Sequence, residues 1–372
     1  MLLKDLCDHN IGTYGIGASA CAYNEEYPVY LRITDISDDG KLLKPFRASI
    51  NPKDYPNWKD YILKMNDLVF ARTGNSTGRN YFNNTNEQLV YAGFLIRFSI
   101  NPSKVLPRYV GYYCQSESYW NQIKTFLEGS TRPTMNAELY KSLDIPIAAR
   151  ELQQHIVDII GTIDDLIENL QSQSINLVKI ISHKVAIFEN NNVGNRFSNC
   201  FRCYNGFAFK SSDYTPSGNW KVITIKNVND DGFDSTSSSK IEMKDDYVPF
   251  KLNIGDIVLT MTGNVGRVGV VDDHNCLLNQ RVLKIMCCSP SYLLGYLITH
   301  KNEIVALGKG TAQKNLSLQE LKDLFIHNSE NEIARFGKAN DDLYAELVLL
   351  KMKIRKLRDM KKALLSKYFS SN

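Results

Sequence analysis

Residues 64–79 read KMNDLVFARTGNSTGR, and residues 253–267 read NIGDIVLTMTGNVGR. In both, an apolar strand-like run leads into a polar loop built on Thr-Gly-Asn and closed by Gly-Arg. A second pair lies upstream. Residues 30–41 (YLRITDISDDGK) and 220–231 (WKVITIKNVNDD) each carry a strand-like run into an acidic turn. The matches lie about 190 residues apart, too long a period for a solenoid unit, so the chain holds one domain twice and presents two similar surfaces.

With 372 residues, 43% hydrophobic and 23% charged, the chain has material for two ordinary cores and none of the bias of bulk disorder. Its apolar runs fall far short of the roughly 18 residues of a membrane span. The first ten residues lack the basic flank and apolar core of a signal peptide, so a cytoplasmic protein without a membrane partner is expected. The eight cysteines are sparse and unevenly spaced, which suits a reducing compartment. Cys200 and Cys203 form a CxxC, but no second pair follows at zinc-ribbon spacing, and no metal is expected. Net charge is only +4, and residues 1–147 and 190–328 are each nearly neutral, so an anionic partner must meet local patches.

The segments that follow each globular half decide the architecture. In the first, Leu152, Ile156, Ile159, Ile163, Leu166 and Leu170 step by 4 and 3, the pattern skips through Gln173, and Leu177, Ile180 and Ile187 resume it. In the second, Leu343, Leu347, Leu350, Ile354 and Leu357 step likewise, with Leu364 further on. Both show the stripe of a coiled coil, and the competing reading is two amphipathic helices packed separately on their own domains. Charge favours pairing. Residues 150–168 are acidic and 351–367 strongly basic, so an antiparallel pair sets opposite charges side by side. Each helix has about 40 residues, roughly 60 Å at 1.5 Å per residue, enough to hold the two domains well apart.

Each half reads as α+β. Strands are expected over 29–36, 68–72 and 91–99, and again over 222–228, 256–261 and 281–287, with helices over 107–128 and 291–307. Each helix runs into a Gly-rich polar loop, EGSTRPTMN at 128–136 and GKGTAQKN at 308–315. ELYKSLDIPI at 138–147 and ELKDLFI at 320–326 then precede the long helices.

Two variable halves, each ending in a Gly-rich loop, an E-L-x-x-L turn into an "IPI"-like strand and a long helix, resemble the specificity subunits of type I restriction-modification systems. The likeness extends over essentially the whole chain. It implies two target recognition domains (1–147 and 190–328) joined by two spacer helices (148–189 and 329–372) forming an antiparallel coiled coil. It also implies a non-catalytic reader of double-stranded DNA, each domain taking one half of an interrupted site. Partners implied are two methyltransferase subunits, which would carry S-adenosylmethionine, and motor-nuclease subunits; no cofactor is expected in this chain.

Taken without that likeness, Arg72, Asn75 and Arg79 in the first half and Asn264 and Arg267 in the second lie on a Gly-bearing loop after a buried strand. There they either offer donors to phosphate or a guanine edge, or merely turn the chain. Met261 stands where the first half has Arg72, so that position cannot make one contact in both. Lys309 and Lys314, with Ser130, Thr131 and Arg132 in the matching loop, suit phosphate contacts, against the reading of a solvated linker. Tyr81, Phe82, Tyr112, Tyr113 and Trp120 read as core rather than base-stacking surface.

Enzyme readings fail on what is missing. An adenine-flipping methyltransferase needs an Asp/Asn-Pro-Pro-aromatic loop, and residues 51–54 (NPKD) and 101–104 (NPSK) lack the second proline and the aromatic. GIGASA at 15–20 fits GxGxxA on paper but lacks the strand before and the helix after. Lys309 is followed by Gly310, not Ser or Thr, so no Walker loop forms, and no paired-histidine motif exists. Besides the type I reading, two remain: the reader of a related modification complex, and a coiled-coil scaffold joining two protein-binding domains.

Overall fold

The computed structural model describes residues 1–129, 133–189, 195–310 and 314–370. The chain divides into two compact units, Met1–Asp164 with Asp359–Asn372, and Asp165–Arg358. Among the described residues, no helix is long and apolar enough to cross a membrane.

Both globular halves are α+β and repeat one topology. In the first, an antiparallel sheet orders Cys7–Tyr14, Leu95–Ile100, Asp67–Ala71 and Asn80–Phe82; its counterpart orders Arg202–Asn205, Val282–Met286, Ile257–Thr260 and Val268–Val270. A second sheet in each half contains one parallel pair, Val29–Leu31 with Leu89–Tyr91, and Trp220–Ile223 with Cys276–Leu278. These strands are short and wholly apolar where the cores press on both faces: Leu68, Val69, Phe70 and Ala71 are fully buried, as are Val258 and Leu259.

The expected strands shorten or divide. Residues 29–36 give a strand only to Leu31, then a 3-10 turn, Ile33–Asp35, fixed by the Asp35 carboxylate accepting the Arg32 N–H at 2.9 Å. Residues 91–99 give two strands with a tight turn between them. The helix expected over 107–128 breaks into Pro107–Tyr113 and Glu117–Leu127, because Ser116 caps the second piece by accepting the Tyr119 N–H. That expected over 291–307 breaks at His300 into Pro290–Thr299 and Lys301–Ala306. His300 stacks on Tyr296 and reaches Glu189 at 2.9 Å, and the Glu189 carboxylate raises its pKa.

The long helices are Arg150–Phe188 and Glu330–Phe369. In the first unit His155 meets Tyr368, and Asp164 meets Lys361 at 2.7 Å; in the second, Phe188 packs on Phe336. The start of each helix therefore lies against the end of the other, and the pair is antiparallel. The second helix keeps its expected face, with Leu347, Leu350 and Ile354 buried and Leu343, Leu357 and Leu364 half-buried.

The first helix keeps its expected face only in part: Ile156, Ile163 and Leu177 are buried and Leu170 half-buried as expected, but other members of the stripe turn away. Its inward face runs Gln153, Ile156, Ile160, Ile163, Ile167, Ser174, Leu177, Ile181 and Val185, whereas Leu152, Leu166, Ile180 and Ile187 are exposed and Ile159 is half-buried. Adjacent apolar pairs (Ile159-Ile160, Leu166-Ile167, Ile180-Ile181) offer two stripes one residue apart, and only one can face in. Polar Gln153 and Ser174 belong to the buried stripe, so the apolar pattern misdirects the choice. Opposite charges meet across the helices at Lys361 and Asp164, whereas Arg355 pairs instead with Asp272 and Asp273 of the globular half.

Burial pushes the Lys361 amine below its ordinary value, against the pull of Asp164. Lys361→Ala would leave Asp164 buried with, among the described residues, only Lys41 at 3.8 Å as an ion-pair partner. It is expected to cost about 3 kcal/mol in urea denaturation, most of it recovered when Asp164→Leu and Lys361→Met are combined. A single variant as stable as the parent would show that the pair is solvated.

Candidate nucleic-acid interface

In each half, separate loops meet on one residue. The Arg72 N–H donates to Phe94 O at 3.0 Å, and Arg72 O accepts from the Met135 N–H at 2.9 Å. In the second half the Met261 N–H donates to Arg281 O at 3.0 Å, and Met261 O accepts from the Leu316 N–H at 2.8 Å. The Thr-Gly-Asn loop is then laced to the Gly-rich loop: Gly74 N–H to Pro133 O at 3.0 Å, and Gly263 N–H to Lys314 O at 2.8 Å. Thr77 Oγ1 adds a bond to Pro133 O, and Thr262 Oγ1 one to Asn315 Oδ1. The two loops that sequence treats separately thus form one surface in each half.

The glycines that close the Thr-Gly-Asn loop are constrained by conformation and by space. Gly78 and Gly266 have φ of 92° and 83°, and a Cβ would stand 2.8 Å from Ile123 and Val305 respectively. The closing glycine therefore packs on the second piece of each broken helix, Glu117–Leu127 or Lys301–Ala306. Gly15, first of the GxGxxA string, also has a packing role: a Cβ there would collide with Ala92 O, as one at Gly206 would with Asn279 O.

The basic candidates separate by whether an acid meets them. Arg79 pairs with Asp38 at 2.5 Å, and Arg267 pairs with Asp230 through two bonds of 3.2 and 2.7 Å. Arg267 in turn holds the Asp230 carboxyl below its ordinary pKa. Lys309, 81% exposed, is paired with Glu320. Lys314 is exposed and, among the described residues, has no ion pair. Arg72 is half-buried, its guanidinium over the Tyr14 ring at 5.0 Å, while Met261 is buried. Asn75 and Asn264 are exposed at the loop tips. Ser130, Thr131 and Arg132 lie outside the described residues. Tyr81, Tyr112 and Tyr113 are buried, and Phe82 and Trp120 pack against the core.

Sequence reasoning missed the acids and one of the loops. Asp38 and Asp230 follow the duplicated 3-10 turns, and aligning 30–41 with 222–233 on those turns would have placed them together. The missed loop is the tight turn beside Arg72 and Met261, closed by the Leu95 N–H on Ala92 O at 2.8 Å and by the Val282 N–H on Asn279 O at 2.9 Å. Its tip residues are Gly93-Phe94 in one half and Gln280-Arg281 in the other. Cys200 and Cys203 sit in and against the second-half core, where burial raises each thiol to about 11.

A family model described as "Type I restriction modification DNA specificity domain" matches residues 1–179 and 199–328. Among solved structures, the chain is similar to the type I restriction-modification S subunit from M. genitalium, at 15% identity and TM-score 0.54, covering 100% of this chain and 96% of that one. It also aligns with the HsdS subunit from Thermoanaerobacter tengcongensis, at 16% identity and TM-score 0.38, over 99% of this chain and 95% of that one.

If these loops meet a phosphate backbone, the unpaired cation should matter more than the paired one. Lys314→Ala is expected to weaken retention of all DNA sequences alike and to flatten the salt dependence by about one unit, and Lys309→Ala by less, because Glu320 already neutralises it. Titrations at several salt concentrations read this, and unchanged slopes for both would return the loop to a solvated linker.

Proposed function

Because the chain belongs to the type I restriction-modification DNA specificity family, we propose that each of its halves reads one half of a single interrupted DNA site. The chain is a DNA specificity subunit; how the reading is divided is our inference. The observation that carries it is the frame built twice, once around Arg72 and once around Met261, with matched backbone bonds and different side chains. Residues 1–147 and 190–328 are taken as the two target recognition domains. The helices over 148–189 and 329–372 are taken as the spacers that set the gap between half-sites.

Catalysis is assigned to partners. The chain lacks an adenine-flipping loop, and its one Gly-rich candidate is used for packing at Gly15. Two methyltransferase subunits holding S-adenosylmethionine are proposed to dock, with motor-nuclease subunits joining the assembly. The outer face of the first long helix supports a protein partner: Leu152, Leu166, Ile180 and Ile187 are exposed at heptad-related positions, Ile187 by 70%. Free thiols at all eight cysteines suit the cytoplasm.

Two outcomes are expected. The purified chain alone transfers no methyl group to DNA and confers methylation only with its modification partner; incorporation of label by the isolated chain would overturn the assignment. Exchanging residues 1–147 for the corresponding half of a relative changes one half-site and leaves the other. Methylation mapping of such a chimera with both half-sites altered would rule out independent readers.

A further inference from the structure

The duplicated frame permits a position-by-position comparison of the two halves. Strand register sets Val69 opposite Arg97 and Val258 opposite Lys284, which makes Leu95 the counterpart of Val282 and Phe94 that of Arg281. The turns preceding these strands have the same closing hydrogen bond, and each offers its second tip residue's carbonyl to the same strut, Arg72 or Met261, at 3.0 Å. The backbone is therefore held alike in both halves while the side chains at its tip differ in kind.

Those side chains are not part of either core. Phe94 is 58% exposed, an aromatic ring left in solvent beside polar loops. Gln280 and Arg281 are both exposed, and among the described residues Arg281 has no ion pair, whereas Arg79, Arg267 and Lys309 on the adjoining loops each have one. An unpaired guanidinium on a rigid two-residue turn suits bidentate donation to guanine O6 and N7, and a neighbouring glutamine suits adenine N6 and N7. An exposed phenyl ring has no hydrogen bonds to give, and its counterpart in the major groove is the thymine methyl.

We propose that this turn is the base-reading element that makes the two halves differ, with Arg281 selecting a guanine, aided by Gln280, in one half-site, and Phe94 selecting a thymine in the other. The assignment rests on the reading of DNA by the loop surface given above. It separates two tasks on one frame. Lys314 and the Gly-rich loop position the phosphates, and the turn carries the sequence information.

The test uses the full chain assembled with its methyltransferase subunits, acting on a library randomised across the recognised site, with methylated products sequenced. Arg281→Ala is expected to lower discrimination at one G·C position of one half-site by roughly tenfold or more, with the other half-site unchanged. Arg281→Lys keeps the charge but not the fork, so it should keep the parent's salt dependence and still lose that discrimination. Phe94→Ala is expected to relax a T·A position in the opposite half-site only. Base preferences identical to the parent in both alanine variants would overturn the proposal, as would a uniform loss across all sequences, which would make the turn a backbone contact. An unaltered complex that selected no bipartite site would instead overturn the DNA-reading assignment beneath it.

Discussion

Each globular half completes its core with residues of both long helices. The carboxyl end of the second helix brings Leu365 and Phe369 into the first unit, where Phe369 packs against Tyr109 and Tyr113 at 5.1 and 5.6 Å and its carbonyl accepts from Ser118 Oγ. Closing a loop of that length costs little more than closing a short one, since the entropy grows only with the logarithm of length. Burying two large side chains contributes roughly 1.5–3 kcal/mol each, which outweighs the increment. The second half likewise takes Leu177, Ile181 and Val185 from the first helix. A helix shared in this way must keep its inward stripe throughout, and its polar members are all satisfied. Gln153 bonds Ala148 O and the Leu106 N–H, Asp164 bonds Lys361, and Ser174 bonds Leu170 O.

Duplication has conserved backbone constraints more strictly than side chains. Asn66 and Gly255 both have positive φ, 70° and 84°, and each precedes an aspartate whose carboxylate accepts a backbone N–H three residues back, at 2.8 and 2.7 Å. Each aspartate faces a cation on the neighbouring strand, Arg97 at 3.8 Å or Lys284 at 2.7 Å. The cations differ because their surroundings do. Arg97 spreads its donors over Asn10, Thr13 and Ile62 O and lies over Tyr91, whereas the compact lysine ammonium makes one short pair. Positions held by φ or by a backbone bond stay recognisable across the repeat, and those held only by side-chain packing drift.

That asymmetry explains what was legible in the sequence. The repeat, the α+β halves and the long helices follow from period and composition, and the Thr-Gly-Asn loops stand out because Gly78 and Gly266 are fixed by positive φ and by close packing. The face of the first helix was not legible, because Ile159-Ile160 and Leu166-Ile167 satisfy either stripe and the deciding contacts belong to another part of the chain. The convergence of loops on Arg72 and Met261 was hidden for a related reason. It is made by backbone bonds between segments about 20 to 60 residues apart, and such bonds leave no mark on side-chain composition. The pairing of Arg79 with Asp38 was equally silent, since a lone arginine on a loop reads the same whether or not an acid awaits it.

Charge placement around the loops has its own consequence. A chain whose halves are nearly neutral cannot grip DNA through a broad positive field, and here Arg79, Arg267 and Lys309 are partly spent on Asp38, Asp230 and Glu320. Bringing a phosphate to such an arginine also brings it toward the acid, so part of the counterion-release gain is lost. On the proposed reading, that arrangement would hold sequence-independent binding low, while an unpaired donor such as Arg281 would keep its full value at a base edge because no acid competes for it. Selectivity is a difference between right and wrong sites, and suppressing the term common to all sites enlarges the share of binding that depends on sequence. The paired arginines tie the Thr-Gly-Asn loop to the acidic turn in each half, and the proposed reading leaves discrimination to the few side chains that the frame presents without partners.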